Sequence, residues 1–341
     1  MDFEVVVTGV AGFIGSHQAE YLLEKGYSVI GIDNFHPYYS EKIKRNNLNQ
    51  VRETARRSEA NFEFVDGSIL NSDDLDKLPK DPKWVFHLAA LAGTRSSLED
   101  SSEYSKINVY GTSKVLEYFD QVEKIIFISS SSVYGELSAE KLPVTEKDEC
   151  SPKTPYSLSK HNAEKVVELY SDLQDFDYTI VRPFTVFGPR QRPDEVFTKF
   201  ISNILDGKSV EIYGDGTQSR DFTYVKDAVQ GIFLAAKRGK GDYNIGSQRR
   251  VTVNQIVEAL DQSMDKKVQT DYIEEHPGDV SHTHADISKA ENELGYNPET
   301  GIEEGLENCI EWVKQESIRS ILSTTDFEKE KNQDNITKVS N

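Results

Sequence analysis

Tyr156 and Lys160 stand four residues apart in Tyr156-Ser157-Leu158-Ser159-Lys160, preceded by Pro155 and, some twenty-five residues upstream, by four consecutive serines at 129–132. In a helix, positions i and i+4 share a face, so the spacing predicts an ammonium beneath the Tyr156 ring that favours the phenolate. A free phenol titrates near about 10, whereas a general base works best with a pKa close to the operating pH. A cation so placed lowers it, and a hydroxyl of the serine run can hydrogen-bond the reacting oxygen. A tyrosine in that setting acts as a base. The same spacing occurs on solvated helices, so the motif takes its meaning from its surroundings.

The elements that must position these residues begin near the N-terminus. Residues 4–8 read as a buried strand with three consecutive valines, and Gly9-Val10-Ala11-Gly12-Phe13-Ile14-Gly15 then opens a helix at Ser16. Glycines let the backbone turn sharply and approach a pyrophosphate, which the free N–H groups and dipole of a helix N-terminus stabilise. A second strand, residues 28–32, ends in Asp33. An acid there can accept hydrogen bonds from both ribose hydroxyls and repels a 2′-phosphate, which favours NAD over NADP.

Residues 34–60 are polar and mixed in charge, and predict a solvated helix. Further strands are expected at 62–65, 84–88, 124–129 and 178–181, separated by helical stretches from Asn71, from Ser101 and around Tyr156. Strands alternating with helices imply right-handed crossovers and a parallel sheet covered on both faces. His87 reads as a core imidazole. Ala89, Ala90, Leu91 and the serine run all fall at strand carboxyl ends, where open α/β sheets bind ligands. Residues 182–193 crowd arginines, glycine and prolines into a stretch that fits neither period, so a domain boundary is expected near Pro183. Residues 213–216 read as a hairpin turn, and later helices at 225–237, 253–264, 287–294 and 302–314. The polar end of the chain, 320–341, is expected to be disordered.

The formal charge of −19 argues against a nucleic-acid surface. Cys150 and Cys309 are far apart and lack metal-ligand spacing, so neither a disulfide framework nor a metal site is expected. With no basic leader and no long apolar run, the chain reads as cytoplasmic, with no membrane partner.

Taken together, Gly9, Gly12, Gly15, Asp33, the Ala89-Ala90 edge, Ser130, Tyr156 and Lys160 resemble the extended short-chain dehydrogenase/reductase superfamily over about residues 3–316. Within it, residues 93–97, 184–194 and 214–224 are similar to nucleotide-sugar 4-epimerases, most closely the group acting on UDP-glucuronate. The resemblance implies a Rossmann-type doubly wound parallel α/β sheet over residues 1–182, with the segment near 222–246 packing back on it. It also implies a smaller C-terminal α/β substrate domain, 183–319. Tyr156 is then the base, Lys160 its partner and Ser130 the hydroxyl. NAD falls to the glycines with Phe13, Ile14, Asp33, Asn34, Ser68, Ile69, Leu88, Ala89 and Ala90, and also to Tyr156 and Lys160. A UDP-sugar falls to Arg95, Ser130, Ser131, Ser132, Thr185, Arg192, Arg220 and Asp279. Relatives are commonly dimers through two helices, here near 101–119 and 156–173.

Absences narrow the reading. The similar 4,6-dehydratases carry an Asp-Glu pair where Ser131 and Ser132 stand, decarboxylases usually a glutamate at 132, and glucose-type epimerases an asparagine at 185. Where His276 stands, the family pattern often has arginine. Four neutral hydroxyls, at 130–132 and Thr185, suit a carboxylate through charge-assisted hydrogen bonds. Two other readings stay open: an epimerase of UDP-glucose or UDP-N-acetylglucosamine, and a regulatory NAD-sensing protein of the same fold.

Overall fold

The computed structural model describes residues 3–264, 266–274 and 280–323. Its centre is a seven-stranded sheet made of β1 (Val5–Thr8), β2 (Val29–Asp33), β3 (Phe62–Asp66), β4 (Trp84–His87), β5 (Lys124–Ile128), β6 (Asp177–Pro183) and the strand Gly241–Ile245. Every adjacent pair is parallel. In space the order runs Gly241–Ile245, β6, β5, β4, β1, β2, β3. The chain therefore steps outward one way from β1 and the other way from β4. Their carboxyl ends lie level, Thr8 opposite His87, and a crevice opens at this switch point.

The continuous burial of Val5–Thr8, Trp84–His87 and Lys124–Ile128 reflects cover on both faces. On one face lie α1 (Phe13–Glu24), α2 (Glu41–Arg57) and the helix Val225–Arg238, joined through Leu22, Leu48, Val51 and Ile232. The other face is packed by Val115, Leu116, Ala163 and Val167, from the helical stretch 101–118 and the helix Pro155–Gln174. A third core, built on Phe197, Phe200, Ile201, Ile256, Leu260, Leu306 and Trp312, forms a smaller body from the later helices. Between leaving and rejoining this body the chain returns to the sheet, where Lys124 donates to the carbonyls of Ala235 (3.0 Å), Ala236 (3.1 Å) and Gly239 and closes the end of Val225–Arg238.

Three expectations need correction. The helix predicted to be solvated within residues 34–60 is amphipathic: its Ile43, Leu48 and Val51 are buried, and so is Lys44, whose Nζ donates to His36 O at 2.6 Å. Its buried positions recur at helical spacing, which the mixed charges on the outer face obscured. Residues 213–216 are no hairpin turn, because the strands on either side do not pair with each other. Val210–Tyr213 runs parallel to Thr270–Ile273, and Ser219–Asp221 runs antiparallel to Arg250–Thr252. Gly216 instead makes room for Asn254, whose Oδ1 lies 2.1 Å from where a Cβ would stand. Finally, a helix Glu316–Ser323 continues beyond residue 320, held by buried Ile318 and by an Arg319–Asp206 ion pair at 2.8 Å. The remainder of the predicted tail, 324–341, lies outside the described residues.

Candidate active site

The crevice is a cavity of about 670 Å³ between the sheet's carboxyl edge and the smaller body. All of the described residues assigned to a site from sequence line it, from Gly9 to Arg220. Asp279 and His276 lie outside the described residues.

A dinucleotide fits the glycine loop on steric grounds. A Cβ on Gly15 would stand 2.1 Å from Gly9 O, one on Gly12 3.1 Å from it, and one on Gly9, whose φ is +71°, 2.8 Å from Ala89 N. Ala89 N–H also donates to Thr8 Oγ1 at 3.1 Å, so β1 and β4 approach with little room between them. Gly12 begins α1 without a side-chain cap, which leaves the first-turn N–H groups facing the cavity free to meet a pyrophosphate. Asp33 accepts from Ala11 N–H at 3.0 Å and Phe35 N–H at 2.8 Å, and so shapes the loop as well as facing the cavity. Burial raises its pKa, against the nearby Lys44 charge and those two donors. Ser68 and Asn34 act locally as turn residues, accepting from Leu70 N–H (3.2 Å) and His36 N–H (3.1 Å). His87 is enclosed between the Thr8 and Thr112 hydroxyls at 2.8 and 3.0 Å.

On the catalytic side, Pro155 starts a helix that Thr154 and Ser157 close with reciprocal caps, so Tyr156 sits in its first turn. Ser130, two residues past the end of β5, lies close enough to the Tyr156 phenol to lower its pKa. Lys160 follows one turn further along the same helix. Its Nζ lies 4.2 Å from the centroid of Phe127, and burial lowers its pKa to about 7 despite the nearby Glu164. Tyr156 is itself raised by burial, against the Ser130 hydrogen bond and the Arg192 charge. Desolvation outweighs both at this buried phenol.

On the substrate side, Ser131, Ser132, Thr185, Arg95, Arg192 and Arg220 converge from both bodies. The Ser132 hydroxyl oxygen is shielded and has no hydrogen-bond partner among the described residues. Arg95 stacks 3.9 Å from the Tyr213 ring, bridging the two bodies, and Arg220 donates to Ser219 O (3.0 Å) and Ser281 O (3.2 Å). Arg192 is no plain surface charge: it pairs with Asp194 (3.1 Å) and Glu195 (2.7 Å) and stacks on Tyr38.

Sequence reasoning missed Tyr38, Tyr39 and Lys44 on the cavity wall. An aromatic pair five residues after the ribose-side acid was the available signal. It also missed Asn108, which bonds the backbone of Leu91 in both directions (2.7 and 2.9 Å) and donates to Ser159 Oγ (2.9 Å). Asn108 lies in a wide helical turn, Ser105–Tyr110, and nothing in its local sequence announces that turn.

The chain is similar to known proteins over most of its length. The chain is 38% identical over 324 residues to a UDP-glucuronate 4-epimerase of Thermodesulfobacterium geofontis, covering 93% of this chain and 98% of that one. The crystal structure of a UDP-glucuronic acid 4-epimerase from Bacillus cereus, in complex with UDP-glucuronic acid and NAD, superposes with a TM-score of 0.85 at 37% identity, covering 91% and 99%. A UDP-glucose 4-epimerase from Thermotoga maritima, with UDP-glucose, follows at 0.83 and 33%, covering 91% and 98%. With the glycine cradle, the paired tyrosine and serine, and a match over residues 5–246, the chain belongs to the NAD-dependent epimerase/dehydratase family.

Proposed function

We propose that the chain interconverts UDP-glucuronate and UDP-galacturonate by oxidation and re-reduction at C4 of the sugar. NAD, held by Gly9, Gly12, Gly15, Asp33 and the Ala89-Ala90 edge, supplies the hydride acceptor and donor when bound. Tyr156 Oη takes the proton of the 4-hydroxyl and returns it after the 4-keto sugar has turned in the cavity. Ser130 Oγ holds the same sugar oxygen in line, and Lys160, in its ammonium form, stabilises the phenolate. Net redox is zero, so the cofactor is regenerated in each turnover.

The observation that carries the choice of a carboxylated sugar is the partnerless Ser132 hydroxyl beside Ser131 and Thr185 on the cavity wall. A shielded donor awaiting an acceptor suits an anion. The 4-keto intermediate is a β-keto acid, which loses CO₂ when the bond from C5 to the carboxylate aligns with the carbonyl π orbitals. Hydroxyls that hold the carboxylate out of that alignment suppress the loss. The relatives acting on UDP-glucuronate support the same reading.

The test is the triple variant S131A/S132A/T185V supplied with UDP-glucuronate. It should release CO₂ and a pentose nucleotide that the wild type does not, and an unchanged product spectrum would refute the carboxylate assignment. We further propose a homodimer in the cytosol. The exposed Leu158, Leu169 and Leu173 of Pro155–Gln174 supply its apolar face, together with Tyr110. Among the described residues no helix is long and apolar enough to cross a membrane.

A further inference from the structure

Behind the catalytic wall, three potential metal ligands meet that the sequence keeps apart. Cys150 precedes the helix Pro155–Gln174, while His161 and Glu164 lie one helical step apart on it. One ligand atom from each, Cys150 Sγ, a ring nitrogen of His161 and a Glu164 oxygen, lies within 4.8 Å of the others. His161 Nδ1 is shielded from solvent and makes no aligned hydrogen bond, although Glu164 Oε2 is 3.4 Å away. A proton or a cation placed between these two atoms would satisfy both.

We propose that Cys150, His161 and Glu164 form a binding site for a soft divalent cation of the zinc type, with water as the fourth ligand. Nitrogen, sulfur and carboxylate oxygen are the donors such an ion takes, in tetrahedral geometry with bonds of about 2.0–2.3 Å. Those bonds set ligand atoms roughly 3.5 Å apart, so the cluster must contract by about 1 Å, within reach of the Cys150 and His161 side chains.

Arg182 is held by Glu164 (2.8 Å) and Asp242 (2.8 Å), and Lys160 and Lys165 also act on Glu164, so the donor atoms rather than a net negative charge recommend the site. Binding then forms a metal–sulfur bond, breaks the S–H bond and releases that proton to solvent; no electron is transferred. Cys309, the other cysteine, is buried and its thiol pushed up to about 12, so it does not compete.

The site has a route to the chemistry. Glu164 also accepts from the hydroxyl of Ser129, the neighbour of Ser130. A cation drawing on Glu164 weakens that support, so it should slow turnover.

The test uses the full chain with its NAD bound. Co²⁺ should bind one per chain with a thiolate-to-metal absorption band, and Zn²⁺, measured by competition with a chromophoric chelator, should release one proton. Cys150→Ser should remove the band, and both it and His161→Gln should weaken Zn²⁺ binding by about tenfold or more. Zn²⁺ should slow the wild type while leaving Cys150→Ser at its metal-free rate. Absence of the band from the wild type, equal affinity in wild type and variants, or undiminished inhibition of Cys150→Ser would each overturn the proposal. The wild-type spectrum decides the matter even where a variant fails to fold.

Discussion

A phenol raised by burial does not ionise near neutral pH without help, and at Tyr156 that help comes from the Ser130 hydrogen bond and the Arg192 charge. Lys160 contributes differently. Its pKa of about 7 leaves both protonation states populated near neutrality, so it can pass a proton as well as hold charge. Two outcomes follow at this scale. Tyr156→Phe should lower kcat by roughly 10²–10⁴-fold, the usual worth of a positioned acid–base group. In Ser130→Ala the group that lowers the phenol is gone, so the phenol pKa rises further and the acid limb of the kcat profile moves to higher pH. A pH–rate series on both variants checks this, and an unmoved limb in Ser130→Ala would separate the serine from the tyrosine's titration. The residue types were legible from sequence because their spacing encodes a shared face and their hydroxyl run marks a strand's end. The Lys160 orientation over Phe127 was not, since depth of burial depends on packing from another strand.

The helix Pro155–Gln174 is positioned by its buried contacts as much as by its caps. Glu164 receives Arg182 Nε at 2.9 Å and Nη2 at 2.8 Å, which ties the helix to β6, and the Ser129 hydroxyl ties it to the end of β5. Burial would raise this carboxyl, but His161, Arg182 and Ser129 hold it at about 2, below its ordinary 4.5. A depressed carboxyl contributes stability above the unfolded value and loses it as pH falls from 4.5 toward 2. Glu164→Gln should therefore cost about 3 kcal/mol at pH 7, and the deficit against wild type should close over that acid window. Denaturant melts at several pH values measure it; a deficit that stays constant down to pH 2 would mean that the ion pair is not its source. The central strands were readable because two-sided burial writes apolar runs, as at Val5–Val7. Two features were not readable: the Ser105–Tyr110 wide turn, which has no compositional mark, and the partners of the short strands at Val210–Tyr213 and Ser219–Asp221, which are set by tertiary contacts.

Across the whole molecule, the cavity exists because two bodies are fastened around it. Arg190 reaches from the connecting stretch to Glu20 (2.7 Å) and Ser16 (3.1 Å) of α1, and Arg95 reaches the other way to Tyr213. The contacts that span sheet and smaller body could not be anticipated from sequence, because they join residues more than a hundred apart. If the exposed leucines seat a second copy, L169E/L173E should convert a dimer to a monomer in light scattering, with secondary structure retained. A dimer of unchanged mass would place the interface elsewhere. The central claim is tested most directly by incubating the purified chain, with no cofactor added, with UDP-glucuronate and separately with UDP-glucose, and resolving the products by proton NMR. Formation of UDP-galacturonate from the first alone is the predicted result, whereas a galactose-type product from the second alone would contradict the carboxylate pocket.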